Sequence, residues 1–218
     1  MTRNKFEPHR RDLTFAEEIV NSITHGIGIL LSIAGLVILV VAAAIHGDVW
    51  HIVSFSIFGA SMIILYTSST LYHSFSRARI KNLFARFDHA AIFMLIAGTY
   101  TPFLLTTIRG ALGWTFFGII WAIAITGVVI RSIHLHKYRR LMVVIYLIMG
   151  WMFVFIFNSM MRNLPDVSLI FLLAGGLSYT VGVIFYAWRK LPFGHGIWHL
   201  FVLGGSVTHF FAVLYSLV

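Results

Sequence analysis

The stretch GIGILLSIAGLVILVVAAAI, residues 26–45, decides the class of this protein. It holds no charged side chain, and Ser32 is its one polar residue. An α-helix of about 20 apolar residues spans the hydrocarbon core of a membrane. Further runs of this kind follow, so the sequence predicts an all-α integral membrane protein, a bundle of seven transmembrane helices. The predicted spans are residues 26–45, 50–72, 88–107, 112–131, 141–161, 167–188 and 196–217.

The composition agrees with a membrane protein. Of the 218 residues, 59% are hydrophobic and 11% are charged, whereas about a quarter of the residues of a soluble domain are charged. The net charge of +9 comes from short clusters between apolar runs. A nucleic-acid-binding module would instead carry a basic face, so we expect no nucleic-acid partner. The absence of cysteine excludes disulfides and thiolate ligands, and leaves 11 histidines as the main supply of metal ligands.

The Lys and Arg residues predict the orientation of the bundle. Of the 16, only Arg109 and Arg162 lie outside the N-terminal arm and the loops after spans two, four and six. The loop after span four contributes Arg131, Lys137, Arg139 and Arg140. Since basic loops stay in the cytoplasm, we predict a cytoplasmic N-terminus and an outside C-terminus, with the basic clusters contacting anionic lipid headgroups. Residues 1–25 are then a cytoplasmic arm, and residues 26–218 form a single transmembrane domain.

Five polar residues, far apart in the sequence, fall at the same predicted depth. Ser69 and His73 lie one turn apart at the cytoplasmic end of span two. Asp88 lies in the first turn of span three, and His195 and His199 lie one turn apart at the start of span seven. Because ionisable groups inside a membrane are costly, such a group indicates a functional site.

Three imidazoles with an open fourth position are the ligands of a catalytic zinc. The sequence therefore predicts a metal centre at His73, His195 and His199. Mg²⁺ and Ca²⁺ prefer oxygen ligands, and zinc is favoured over other transition metals by its availability and coordination number. Asp88 and Ser69 would hydrogen-bond a water molecule on the metal.

Other polar positions have two interpretations. Glu18, Asn21 and His25 share one face near the start of span one. They form either a polar helix start at headgroup level, or groups that orient a metal ligand or gate the mouth of the site. His209 lies about 15 Å beyond His199 along the helix, so we expect it to make a buried hydrogen bond between helices. Pro102 is expected to kink span three. The pairs Gly175-Gly176 and Gly204-Gly205 are expected to allow close helix contact.

These motifs resemble those of a known family. The segments that carry the resemblance are Glu18-x-x-Asn21-x-x-x-His25, Ser69-x-x-x-His73, Phe87-Asp88-His89, Ala97-Gly98-Thr99-Tyr100-Thr101-Pro102 and His195-x-x-x-His199. In this order, from about Glu17 to the C-terminus, they look like the hemolysin III (TrhA) family, the bacterial branch of the progestin and adipoQ receptor superfamily. The resemblance implies a multi-pass protein of the bacterial inner membrane, with zinc on the three histidines and with Asp88 and Ser69 around the water. It also implies a role in membrane homeostasis or in cytolysis.

Three functions follow from these patterns. The first is a zinc-dependent intramembrane hydrolase of lipid acyl amides or esters, as the similar alkaline ceramidases imply. The second is a non-enzymatic sensor or regulator of the membrane state with a structural zinc. The third is a transporter or cytolytic pore, which the clustering of ionisable groups at one end disfavours. The sequence predicts neither the lipid nor the oligomeric state.

Overall fold

The computed structural model describes residues 13–135, 137–188 and 190–217. Within these ranges every regular element is helical. The helices are α1 (Phe15–His46), α2 (Val49–Ser74), α3 (Ala78–Pro102), α4 (Ala111–Ile133), α5 (Arg139–Trp151), α6 (Phe157–Asn163), α7 (Asp166–Ala187) and α8 (Gly194–Tyr215). The first twelve residues of the predicted arm, and Arg189, lie outside the described part.

Seven helical stretches of the described residues are long and apolar enough to cross a membrane. Six correspond to α1, α2, α3 with its continuation to Thr107, α4, α7 and α8. The remaining stretch, Arg140–Asn163, joins α5 and α6 through a tighter 3₁₀ segment, Met152–Ile156. The predicted seven-helix bundle is therefore confirmed. The break in the fifth crossing is a feature that the hydropathy pattern did not predict.

Helices α1 and α3 begin about ten residues before the predicted starts of spans one and three. Helix α1 begins at Phe15, after a capping box in which the Thr14 hydroxyl accepts from the Glu17 amide and the Glu17 carboxylate accepts from the Thr14 amide. Helix α3 begins at Ala78. At the opposite end Asp48 caps α2 by accepting from the amides of Trp50 and His51. A hydrogen bond from the His51 side chain holds the pKa of Asp48 below its ordinary value.

Small residues set the close packing of the helices. A side chain at Gly28 would overlap the Tyr66 ring of α2, and one at Gly98 would overlap Ser61. The expectation for the glycine pairs holds for Gly175, which lies against His209, and for Gly205, which lies against Tyr179. Helices associate in lipid through such close contacts, because an apolar side chain gains little free energy when it leaves lipid for the protein interior.

At Pro102, where the sequence predicts a kink, the helix type changes. Residues Phe103–Thr107, directly after Pro102, form a π-helical turn. Proline lacks the amide hydrogen that an α-helix needs in its interior, so the regular hydrogen bonding of α3 ends there. Helix α1 packs on α2 and α8, and α2 packs on α3. This arrangement brings the starts of α1, α3 and α8 next to the end of α2.

Candidate metal centre

The three predicted histidines meet at one end of the bundle. His73 lies in the last turn of α2, and His195 and His199 lie in the first two turns of α8. One ring nitrogen from each lies within 4.8 Å of the other two. The ring of His73 is 5.1 Å from that of His195 and 5.0 Å from that of His199, between centroids. Two helices thus bring three imidazoles to one point.

The hydrogen bonding of His73 leaves one nitrogen for a metal. Its Nδ1 lies 2.6 Å from Oε2 of Glu18. Because a carboxylate only accepts, Nδ1 carries the hydrogen and Nε2 keeps its lone pair. Nε2 is buried and has no hydrogen-bond partner among the described residues. A carboxylate behind a histidine is the usual support of a metal-binding imidazole.

His199 is held in the same way by α1. Its Nδ1 lies 3.2 Å from the backbone oxygen of Asn21 and 3.4 Å from Oγ1 of Thr24. The carbonyl accepts the Nδ1 hydrogen, so Nε2 is again the nitrogen with a free lone pair. Glu18 and Asn21, both predicted to lie behind the ligands, make these contacts through a side chain and a backbone group respectively.

His25, the third residue of that group, contacts the site by stacking. Its ring lies 3.6 Å from that of His199, between centroids, with 10° between the planes. The side chain is buried, and neither ring nitrogen has a hydrogen-bond partner in the part of the chain that is described. His25 lies outside the group whose ligand atoms converge. It therefore bears on the site by packing against His199.

These residues fit a zinc ion. The donors are three imidazoles, and a protein oxygen engages the Nδ1 atoms of His73 and His199. This is the donor set of zinc sites that keep an open position. In tetrahedral coordination at about 2.0 Å, nitrogen ligands lie about 3.3 Å apart, so the rings would close slightly around an ion.

Asp88 and Ser69, predicted to lie around a water molecule on the metal, lie beside the histidines. Both line a cavity of about 150 Å³ that His195 and His199 also line. Asp88 is half-buried on α3, within electrostatic reach of His73 and close to Ser69. The Ser69 hydroxyl is buried, and among the described residues no group makes a hydrogen bond of ordinary geometry with it.

The cavity continues from this polar end into the apolar interior of the bundle. Its walls beyond the histidines include Leu65, Leu95, Leu147 and Val202, and it reaches as far as His209. The sequence predicted a hydrogen bond between helices for His209. Its Nδ1 instead bonds to the backbone oxygen of Gly205 on the same helix, and its ring stacks on Tyr179. The prediction of a bond between helices was therefore wrong, because a carbonyl one turn earlier was within reach.

Two charged residues of this region were not identified from the sequence. Glu17 is buried, and its Oε1 accepts the backbone hydrogen of Phe193, which ties α1 to the start of α8. Lys81 donates to Glu18 at 2.9 Å. The Thr14-x-x-Glu17 capping-box pattern was the one available signal for Glu17, whereas nothing in the spacing of Lys81 distinguishes it from other loop cations.

Arg131 corrects a prediction. The sequence placed it among the loop cations that face lipid headgroups, but its side chain is buried in α4. The guanidinium donates to the backbone oxygen of Leu135 and lies within electrostatic reach of Asp88. An opposite charge makes a buried cation tolerable inside a membrane. Asp88 lies more than forty positions earlier in the sequence, so hydropathy alone could not place this carboxylate near Arg131.

Comparison with known proteins agrees with this architecture. A family model described as Haemolysin-III related matches residues 13–210. Hemolysin-3 of Bacillus cereus is 49% identical over 199 residues, which cover 91% of each chain. The Hemolysin-3 homolog of Bacillus subtilis (strain 168) is 48% identical over 94% of this chain and 96% of its own. The human monocyte to macrophage differentiation factor is 30% identical over 92% of this chain and 84% of its own.

Proposed function

Because this multi-pass bacterial membrane protein belongs to the haemolysin-III related family, within the progestin and adipoQ receptor superfamily, we propose that it is a zinc-dependent hydrolase of lipid acyl amides or esters. One observation carries the proposal. Three converging ring nitrogens lie beside a half-buried carboxylate, at the polar end of a cavity that continues into the apolar core. Such a site can hold a metal, a water molecule and the acyl group of a lipid together.

His73, His195 and His199 would hold the zinc ion. When bound, zinc supplies Lewis-acid chemistry, because it polarises a carbonyl oxygen and makes water easier to deprotonate. Glu18 and the Asn21 carbonyl keep the Nδ1 hydrogens of His73 and His199 in place. The two Nε2 atoms then point into the site as lone-pair donors.

Asp88 moves the proton. Attack of water on the acyl carbon forms a C–O bond, and the proton that water loses passes to the Asp88 carboxylate. Asp88 returns this proton to the leaving nitrogen or oxygen as the C–N or C–O bond of the substrate breaks. The Ser69 hydroxyl donates a hydrogen bond to the oxygen that gains negative charge at the acyl carbon. The products are a fatty acid and an amine or alcohol.

The cavity supports a lipid as the substrate. His195, His199, Asp88 and Ser69 lie at one end of the cavity, whereas apolar side chains, among them Leu65, Leu95, Leu147 and Val202, line much of the part that runs inward. An acyl chain in this cavity would place its carbonyl next to the histidines. The reaction would release fatty acid into the membrane, which is a means of adjusting membrane lipid composition.

The test combines metal analysis with lipid hydrolysis. Purified protein is expected to contain one zinc per chain and to release fatty acid from amide or ester lipids presented in mixed micelles. His199→Ala should lose the metal. Asp88→Ala should keep it and lose hydrolysis by about 10²-fold or more, the usual contribution of a general acid–base group. Asp166→Ala, at the exposed start of α7 at the other end of the bundle, is the matched control and should retain both.

Two results would contradict the proposal. Wild-type protein that holds zinc and releases no fatty acid from either lipid class is not a hydrolase. An Asp88→Ala variant that hydrolyses lipid as fast as wild type would exclude the proton transfer assigned to this residue.

A further inference from the structure

We infer that Lys81 is a positioning residue of the metal centre, acting through Glu18 on His73. The inference rests on the metal site of the proposed function. Glu18 uses both carboxylate oxygens: Oε2 lies 2.6 Å from Nδ1 of His73, and Oε1 lies 2.9 Å from Nζ of Lys81. A chain of three residues from α1, α2 and α3 therefore ends on the buried Nε2 of His73.

The burial of the three residues follows the same order. The side chain of His73 is 0% exposed, that of Glu18 is 20% exposed and that of Lys81 is 25% exposed. The ion pair of Glu18 and Lys81 thus lies between the metal-binding imidazole and the outside of the bundle. An exposed ion pair contributes little, but this pair fixes a carboxylate whose second oxygen orients a metal ligand.

Without Lys81, one oxygen of Glu18 has no cation to hold it. The carboxylate can then rotate toward water, and the hydrogen bond to His73 loses its fixed direction. The imidazole would be free to turn or to carry its hydrogen on Nε2, the nitrogen that the metal needs. Both changes weaken metal binding and leave the three ligands in the chain.

Lys81 has a competing structural role that the test must separate. Its Nζ also lies 3.2 Å from the backbone oxygen of Tyr72 and 3.5 Å from that of Phe75, at the end of α2. A cation there stabilises the last turn of a helix. Loss of this cap would lower the stability of the protein, whereas loss of the positioning role would lower its affinity for zinc.

The experiment measures the zinc affinity of the purified full-length chain by competition with a chelator of known affinity. Glu18→Ala should lower the affinity about 10- to 100-fold, the usual effect of removing the group behind a ligand. Lys81→Met should lower it about tenfold. Lys81→Gln keeps a donor for the carbonyls of α2 without the charge, so it should match Lys81→Met and remain interpretable where Lys81→Met folds poorly.

Two controls separate positioning from packing. Ser22→Ala removes a 2.7 Å contact between Ser22 and Ser74, at the same junction of α1 and α2, and should leave the zinc affinity unchanged. In a Glu18→Ala background, Lys81→Met should have no further effect, because Lys81 acts only through Glu18. The visible absorption of the cobalt-substituted protein should change in Lys81→Met and not in Ser22→Ala, since it reports the arrangement of the ligands.

The outcomes are distinct. Wild-type zinc affinity in both Lys81 variants, or equal losses from Lys81→Met with and without Glu18, would overturn the positioning role and leave the metal centre standing. Wild-type protein that binds no zinc would overturn the metal centre and the inference together.

Discussion

His25 has an unusual environment for a buried histidine. It lies on the buried face of α1, with its ring stacked on His199 and its edge toward Tyr66. Both ring nitrogens lack a hydrogen-bond partner among the described residues. A buried polar atom without a partner costs about 1–3 kcal/mol. An apolar ring of similar shape at position 25 would avoid this cost.

We predict that His25→Phe raises the stability of the metal-free protein. Phenylalanine keeps a flat ring against His199 and removes two polar atoms that have no partner, so the gain should be about 1 kcal/mol. Thermal unfolding in detergent with a chelator present would measure it. His209→Phe is the matched control. It removes the hydrogen bond to Gly205 and should not raise the unfolding temperature. A His25→Phe variant that unfolds at or below the wild-type temperature would contradict this account.

At the residue scale, depth in the membrane was the informative signal. The three histidines, Asp88 and Ser69 could be grouped because each lies near the same end of its span. Glu18 and Asn21 could be grouped because the helical period places them on one face of span one. Lys81 and Arg131 could not be placed, because a cation near a span end normally faces headgroups. The packing of the helices brings Lys81 of α3 to Glu18, and it brings Arg131 of α4 toward Asp88.

At the scale of elements, the break in the fifth crossing is stabilised from α3. The Tyr100 hydroxyl lies 2.9 Å from the backbone oxygens of Met149 and Gly150, and it accepts the backbone hydrogen of Phe153 at 2.8 Å. Non-helical backbone inside a membrane is tolerated where protein groups satisfy it or where it lines a cavity. Tyr100 also lines the cavity, so the break and the cavity share one side chain.

Tyr100→Phe should therefore destabilise the fifth crossing. The substitution leaves the backbone hydrogen of Phe153 without its partner, at a cost of about 1–3 kcal/mol. Amide hydrogen exchange of residues 149–156 would rise, and the thermal midpoint would fall. Tyr215→Phe, at a more exposed tyrosine of α8, removes the same hydroxyl elsewhere and should change neither. Unchanged exchange at residues 149–156 in Tyr100→Phe would show that Tyr100 does not hold the break.

The positions of the spans could be predicted from hydropathy because length and apolar composition determine a crossing. The break could not, since Met152–Ile156 contains neither proline nor glycine and is as apolar as its surroundings. Its hydrogen-bond partner, Tyr100, belongs to a helix about fifty residues earlier in the sequence. A local pattern carries no information on such a partner.

At the scale of the whole molecule, the candidate metal centre lies at the end of the bundle where α1, α3 and α8 begin and α2 ends. Successive crossings alternate in direction, so these four termini must share one side of the membrane. The basic clusters of the sequence fall on the same side, because they lie in the arm and in the loops after spans two, four and six. The positive-inside tendency therefore predicts that the metal centre opens toward the cytoplasm.

The chain lacks cysteine, so single cysteine variants can test this orientation without background labelling. Lys137 lies in the basic loop after α4, and Asn163 lies at the end of α6 on the opposite side. Both residues are exposed, so each is replaced by cysteine in a separate variant. In intact spheroplasts a membrane-impermeant maleimide should label the Asn163→Cys variant alone. After the membrane is opened, both variants should react, which confirms that each thiol is accessible. Labelling of Lys137→Cys alone in intact spheroplasts would reverse the topology and place the candidate metal centre on the outer face.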